Sequence, residues 1–223
     1  MADKDMQLQK ERIRRFGKVA IMAHWAHTVT FFILALTGLI IYINFFSFLA
    51  PLFGGIQGAR LVHRIMAVGF IVFPLVSLAA NFRGFVQWMV DVLTWGKNEF
   101  IFLKKFPREF FGFHVEMPPQ GRFNAGEKIN SLLQVIGCTV LGLSGMVIWF
   151  KEFFPVAVVR YAIPLHDLSF ILTFTAALGH TYMALGLPAT NKAITGMITG
   201  YIDAKFAKSH YPLWYKKVKE DEA

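Results

Sequence analysis

The sequence predicts an all-α integral membrane protein, a bundle of four transmembrane helices. Three observations predict it. The 223 residues are 55% hydrophobic and only 17% charged, where a soluble domain is nearer a quarter charged. Four apolar stretches, 19–46, 61–82, 129–150 and 161–187, each reach the roughly 20 residues that cross a ~30 Å hydrocarbon layer as helix. The many short alternating strands of a membrane barrel are missing, and only helices and closed barrels satisfy their backbone in lipid.

The first stretch is too long for a secretory signal and is not followed by a small-x-small cleavage site and a soluble domain, so it is read as a spanning helix. A loop over 83–128 separates the second stretch from the third. Within it, "FVQWMVDVLTWGKNEFIFLKKF" mixes Trp, Phe and Leu with Lys. Such a segment suits an interfacial amphipathic helix, and docking against a partner subunit is an equal alternative. "VEMPPQGRFNAGEK" then breaks regular structure at Pro118, Pro119 and Gly121, and Asn124 stands where a cap for the third helix belongs. The fourth stretch leads into a tail over 188–223. No internal repeat or low-complexity segment is evident, and residues 1–223 are read as a single membrane domain.

Lysine and arginine alternate along this order. Residues 1–18 hold six, 47–60 hold Arg60 alone, 83–128 hold seven, 151–160 hold Lys151 and Arg160, and the tail holds six. The positive-inside rule then places both termini and the long loop in the cytoplasm. The net charge of +9 is shared among three segments, which argues against a nucleic-acid groove. The single cysteine, Cys138, builds no disulfide framework and no thiolate zinc site, and the haem-attachment pattern C-x-x-C-H is absent.

Seven histidines are present. His114 and His210 fall in cytoplasmic segments and read as titrating surface residues. His24, His27, His63, His166 and His180 fall in or at the ends of spans, where an ionisable group points to function. A lone one is often only an interhelical hydrogen-bonding residue. The topology pairs them by depth: His63 with His166 near the outer face, His24 with His180 near the inner face. His166 and His180 are fourteen residues apart, about 40° short of four full turns, so both face one side roughly 21 Å apart. Two flat macrocycles stacked across the bilayer fit that spacing. Iron accepts neutral imidazole, and two axial histidines favour electron transfer over chemistry at the metal. His27, about 60° from His24, is left open by the spacing, with His24 preferred. Gly38, Gly69, Gly137, Gly142, Gly145 and Gly179 either pack helices or admit a ring. Arg15, Lys18, Arg60, Arg64 and Arg160 either pair with propionates or anchor the interface.

The motifs "AHW" at 23–25, "GARLVH" at 58–63, "FNAGEK" at 123–128, "VVRY" at 158–161, "LGHTYMA" at 178–184 and "SHYPLWY" at 209–215 together resemble the cytochrome b (gamma) subunit of membrane-bound formate dehydrogenases. This di-haem family is shared with the cytochrome b subunits of nickel–iron hydrogenases. The resemblance covers nearly the whole chain. It implies two haem b groups in a four-helix bundle, ligated by His24 and His180 on the cytoplasmic side and by His63 and His166 on the other. It implies a menaquinone or ubiquinone site at Asn124, Gly126 and His180. It also implies an iron–sulfur beta subunit and a molybdenum or tungsten alpha subunit as partners, and a higher oligomer of the complex. Asn124 either bonds a quinone carbonyl or only caps its helix. Pro164 and Asp167 depart from the family pattern, and Asp167 either orients the His166 ring or is solvated. A hydrogenase or another molybdoenzyme is the alternative donor. A haem-free anchor or transporter with a histidine proton relay is the alternative of another class.

Overall fold

In the computed structural model, residues 11–222 are described, apart from Gly112 and His114. His114, read as a surface residue, lies outside them. In chain order the elements are strand β1 (Arg12–Arg14), helices α1 (Lys18–Tyr42), α2 (Ile56–Ala80), α3 (Phe82–Leu93), α4 (Lys97–Phe110), α5 (Ala125–Trp149), α6 (Val156–Thr181) and α7 (Ile194–Thr199), strand β2 (Tyr201–Asp203), and helices α8 (Ala204–His210) and α9 (Pro212–Asp221). Among the described residues, four helices are long and apolar enough to cross a membrane: Lys18–Tyr42, Ile56–Ala80, Ala125–Trp149 and Val156–Gly186. They start earlier than the apolar runs. Their first turns carry Gln57 and Arg60, Glu127 and Lys128, or Arg160, and a helix continues past the residues that hydropathy alone would admit to lipid.

The chain divides into two bodies. The helical body comprises Lys18–Phe82 and Ile136–Thr175. Here α1 packs along α2. A Cβ on Gly137 of α5 would stand 2.2 Å from Thr173 Cγ2 of α6, and one on Gly142 would stand 3.7 Å from Ile71 of α2, so α5 comes close to both neighbours. Phe31 and Phe174 bring α1 and α6 together, with ring centroids 6.5 Å apart. The outward faces stay apolar, as at Leu61, Val68, Phe73, Leu143 and Leu172. Hydroxyls inside are satisfied by the backbone one turn back: Thr30 donates to Ala26 O at 2.8 Å and Thr173 to Ser169 O at 2.7 Å, the usual solution where water is absent. A 3₁₀ helix, Asn44–Phe53, joins α1 to α2 and ends at Gly54 and Gly55, with φ of 78° and 90°. That region of φ suits glycine.

The other body comprises Met1–Gly17, Arg83–Val135 and Ala176–Ala223. Its β1 and β2 pair antiparallel, with Arg12 opposite Asp203 and Ile13 opposite Ile202. Ile13, Ile202, Ala204, Phe206, Ala207 and Tyr211 form its core. The hydropathy reading foresaw only helix and missed this short sheet, because three-residue strands carry too little pattern to register. The amphipathic stretch of the long loop is two helices, α3 and α4, broken near Gly96. Phe82, Phe85, Val86, Val90 and Leu93 leave α3 with an exposed apolar face.

Candidate functional site

His63 and His166 lie in the helical body, and both are half-buried. His63, on α2, turns toward α1: its Nδ1 is 2.9 Å from Thr37 Oγ1. A Cβ on the next residue, Gly38, would stand 3.4 Å from His63 Cε1. His166, on α6, meets α5 in the same way. Its Nδ1 is 3.0 Å from Ser144 Oγ, and a Cβ on Gly145 would stand 3.2 Å from its Cε1. The two imidazoles are near enough to act on each other electrostatically. The hydrogen-bond partner of His166 Nδ1 is thus Ser144 Oγ, on another helix.

His24 and His27 share α1. The His27 ring stacks on Phe70 at 4.8 Å, and its Nε2 lies 3.7 Å from Cys138 Sγ. Its face and its edge are taken up by packing, which the spacing alone left open. His24, nearly a turn earlier, meets Trp25 edge-on at 5.3 Å.

The residues read as a quinone site belong to the other body. His180 lies in the last turn of α6 and is exposed. The chain then makes a π-turn, Tyr182–Gly186, a form often seen near functional positions. Asn124 caps α5 in a reciprocal box: its Oδ1 accepts from Glu127 N at 2.9 Å, and its own N donates to Glu127 Oε2 at 2.9 Å. Gly126 belongs to this turn, since a Cβ there would stand 3.2 Å from Asn124 Oδ1. The cap uses the amide oxygen and leaves Nδ2 as the donor.

Glu127 is the hub of this body. It accepts from Arg15 Nη2 at 3.1 Å and from Tyr211 Oη at 2.9 Å, and it acts electrostatically on His180. Burial opposes the charge of Arg15, but Glu127 and Tyr211 outweigh it and hold the guanidinium above its ordinary range. Burial, with Glu127 beside it, raises the Tyr211 hydroxyl, so it stays a donor. Burial lowers the His210 imidazole. Nearby, burial raises the Glu99 carboxyl, yet the bonds from Lys128 Nζ and Gly96 N outweigh it and hold the group below the carboxylate range. None of Glu127, Tyr211, Thr37 or Ser144 was singled out from the sequence. For the last two a signal existed: a hydroxyl residue followed by glycine in each of two apolar helices.

Residues 15–200 match the sequence profile of prokaryotic cytochrome b561. The chain belongs to the prokaryotic cytochrome b561 family. It is 30% identical over 205 residues, 90% of this chain and 88% of the relative, to the nitrate-inducible formate dehydrogenase cytochrome b556(Fdn) subunit of Escherichia coli K12. It is 28% identical over 209 residues, 92% and 83% respectively, to the formate dehydrogenase cytochrome b556 subunit of Haemophilus influenzae. It is 28% identical over 217 residues, 95% and 96%, to the cytochrome b556(fdo) subunit of formate dehydrogenase in Escherichia coli K12.

Membership of a cytochrome b561 family implies haem b, and the residues fit that group. Among the described residues no three His, Cys, Asp or Glu gather around one point, as a bare ion held by protein alone would need. Iron held in a macrocycle asks the protein only for axial ligands. His63 and His166 would hold it through their imidazoles, each settled against a residue that has no Cβ.

Proposed function

We propose that this cytochrome b561-family chain is the di-haem membrane subunit of a respiratory formate dehydrogenase. It lies in a bacterial cytoplasmic membrane with both termini in the cytoplasm. It carries electrons from an iron–sulfur subunit, fed by a molybdenum or tungsten catalytic subunit, across the membrane to menaquinone or ubiquinone. Formate itself is oxidised elsewhere in the complex. The observation that carries this reading is the placement of His63 with His166 in one helical body, each on a glycine, in a chain 30% identical to such a subunit over 90% of its length.

In this reading His63 and His166 hold the outer haem, and His24 and His180 the inner one. When bound, haem b would supply reversible one-electron chemistry, with these histidines as its protein ligands. The apolar helices exclude water around the ligands. At the quinone site, Asn124 donates from Nδ2 to a quinone carbonyl while its Oδ1 stays on the helix cap. Gly126 keeps that turn open, and His180 closes the other side. Protons reach the quinone from the cytoplasm, so formate oxidation on the far side builds a proton-motive force.

The test is a reduced-minus-oxidised spectrum with haem quantitation on protein purified from haem-replete cells, and identification of its co-purifying subunits. The expected result is b-type bands, two haems per chain and a molybdopterin subunit. Absence of b-type bands overturns the reading. Recovery of a nickel–iron subunit in place of a molybdopterin one replaces the donor enzyme.

A further inference from the structure

Two residues of the helical body make the same unusual contact. Thr37 and Ser144 lie on different helices, α1 and α5, and each hydroxyl oxygen touches an imidazole Nδ1, of His63 at 2.9 Å and of His166 at 3.0 Å. A hydroxyl has one proton to give and lone pairs to accept with. Thr37 Oγ1 gives its proton to Ile33 O at 2.8 Å, and Ser144 Oγ gives its own to Val140 O at 2.6 Å. Both hydroxyl protons are thereby committed to backbone carbonyls, which only accept. In that arrangement the ring donates each contact, with Nδ1 carrying the hydrogen in both histidines. Nε2 is left as a bare lone pair.

The local sequence is also shared. Leu36-Thr37-Gly38 and Leu143-Ser144-Gly145 each place a hydroxyl on Nδ1 and, one residue on, the missing Cβ against Cε1 of the same ring. The two helices thus share one local pattern.

We propose that Thr37 and Ser144 are matched positioning residues: each accepts the Nδ1 proton of one histidine of the outer pair and so presents both Nε2 atoms to a single iron centre. This rests on the assignment of His63 and His166 as ligands of the outer haem. The hydroxyl does more than fix the tautomer. An oxygen that is itself donating is a stronger acceptor, and a stronger acceptor on the far nitrogen makes an imidazole a more basic ligand. A more basic ligand favours the oxidised metal, so the two hydroxyls together hold the outer haem at a lower potential than apolar neighbours would.

The experiment is redox potentiometry of both b-type haems in membranes of wild type, Thr37→Val, Ser144→Ala, Thr37→Ser and Ser144→Thr, with haem content measured alongside. Thr30→Val serves as control, since Thr30 Oγ1 makes the same bond to a carbonyl on the same helix, Ala26 O. The expected result is an upward shift of the outer-haem potential in Thr37→Val and in Ser144→Ala, larger in the double variant. The inner haem and the control stay at the wild-type values, and Thr37→Ser and Ser144→Thr return toward wild type. Selective loss of the outer haem in Thr37→Val or Ser144→Ala, regained with the alternative hydroxyl residue, equally supports the proposal. Full loading with an unmoved outer potential in both overturns it, as does a shift confined to the inner haem. Loss of both haems that the hydroxyl replacements fail to relieve overturns it too. A wild-type protein without b-type bands instead brings down the functional reading itself.

Discussion

The two bodies of this chain satisfy their polar groups by opposite means, and the difference shows what each can tolerate. In the helical body, hydroxyls bond the carbonyl one turn back on their own helix, at Thr30, Thr37, Ser144 and Thr173. The bonds are local, so each helix arrives nearly complete, and the body is limited by the fit between helices. In the other body, charges meet partners remote in sequence: Arg15 with Glu127 and Tyr211, Arg122 with Asp91, and Lys128 with Glu99. That body is limited by pairing. Removing one partner leaves another buried and uncompensated.

The largest expected effect follows from the buried guanidinium. Arg15→Ala strips Glu127 and Tyr211 of their shared cation, whose side chain is only 2% exposed. It should cost about 3–5 kcal/mol, the usual penalty for breaking a buried pair from one side. Hydrogen exchange read separately for Ala204–His210 and for Ile56–Ala80 should show the loss confined to the first. Equal loss in both segments would erase the distinction between the bodies.

The second probe attacks fit. Gly137→Ala places a methyl 2.2 Å from Thr173 Cγ2, on a side chain stiff at χ1. Overpacking of this kind costs about 1–3 kcal/mol. Detergent thermal unfolding should show the lower midpoint, and Thr173→Ser on the same chain should recover most of it by deleting the methyl in the way. No recovery would mean that the strain lies elsewhere.

The smallest effect sharpens the contrast through pH. Glu99 is held below the ordinary carboxylate range in the fold. Its contribution is therefore fully present above about pH 4.3, the unfolded value, and is lost as pH falls through the lower folded value. Midpoints measured between pH 6 and pH 3 should fall as pH falls, and Glu99→Gln should flatten part of that slope. An unchanged slope would show that the contact with Lys128 does not stabilise the fold.

The sequence made the helical body legible and the other body largely illegible, for one physical reason. Apolar runs announce spanning helices because the bilayer's demand is local and repeats over every residue. The histidines stood out because such a run has little reason to keep them. The partners of those histidines did not stand out. A threonine or serine in an apolar helix reads as bonding its own backbone, and Thr37 and Ser144 do that. Their second contact depends on which helix lies opposite. Asn124 was legible as a cap, and Glu127 three residues later completes the box. That the same Glu127 meets Arg15, and Arg15 meets Tyr211 across 196 residues, has no signature in any window of sequence. His27 was undecided by spacing because Phe70 and Cys138 lie on other helices.

The pairing of β1 with β2, and of Arg15 with Tyr211, has a consequence for biogenesis. Residues 12–15 emerge before, and 201–211 only after, the four spanning helices of the described residues. At ~5–20 residues per second, Arg15 waits on the order of ten to forty seconds for Tyr211. During that time the helices enter the bilayer one after another while the N-terminal strand has no mate. That later stretch then acts as a clasp, and a ribosome that stalls short of it leaves a chain whose helices are threaded while β1 and Arg15 stay open to proteases.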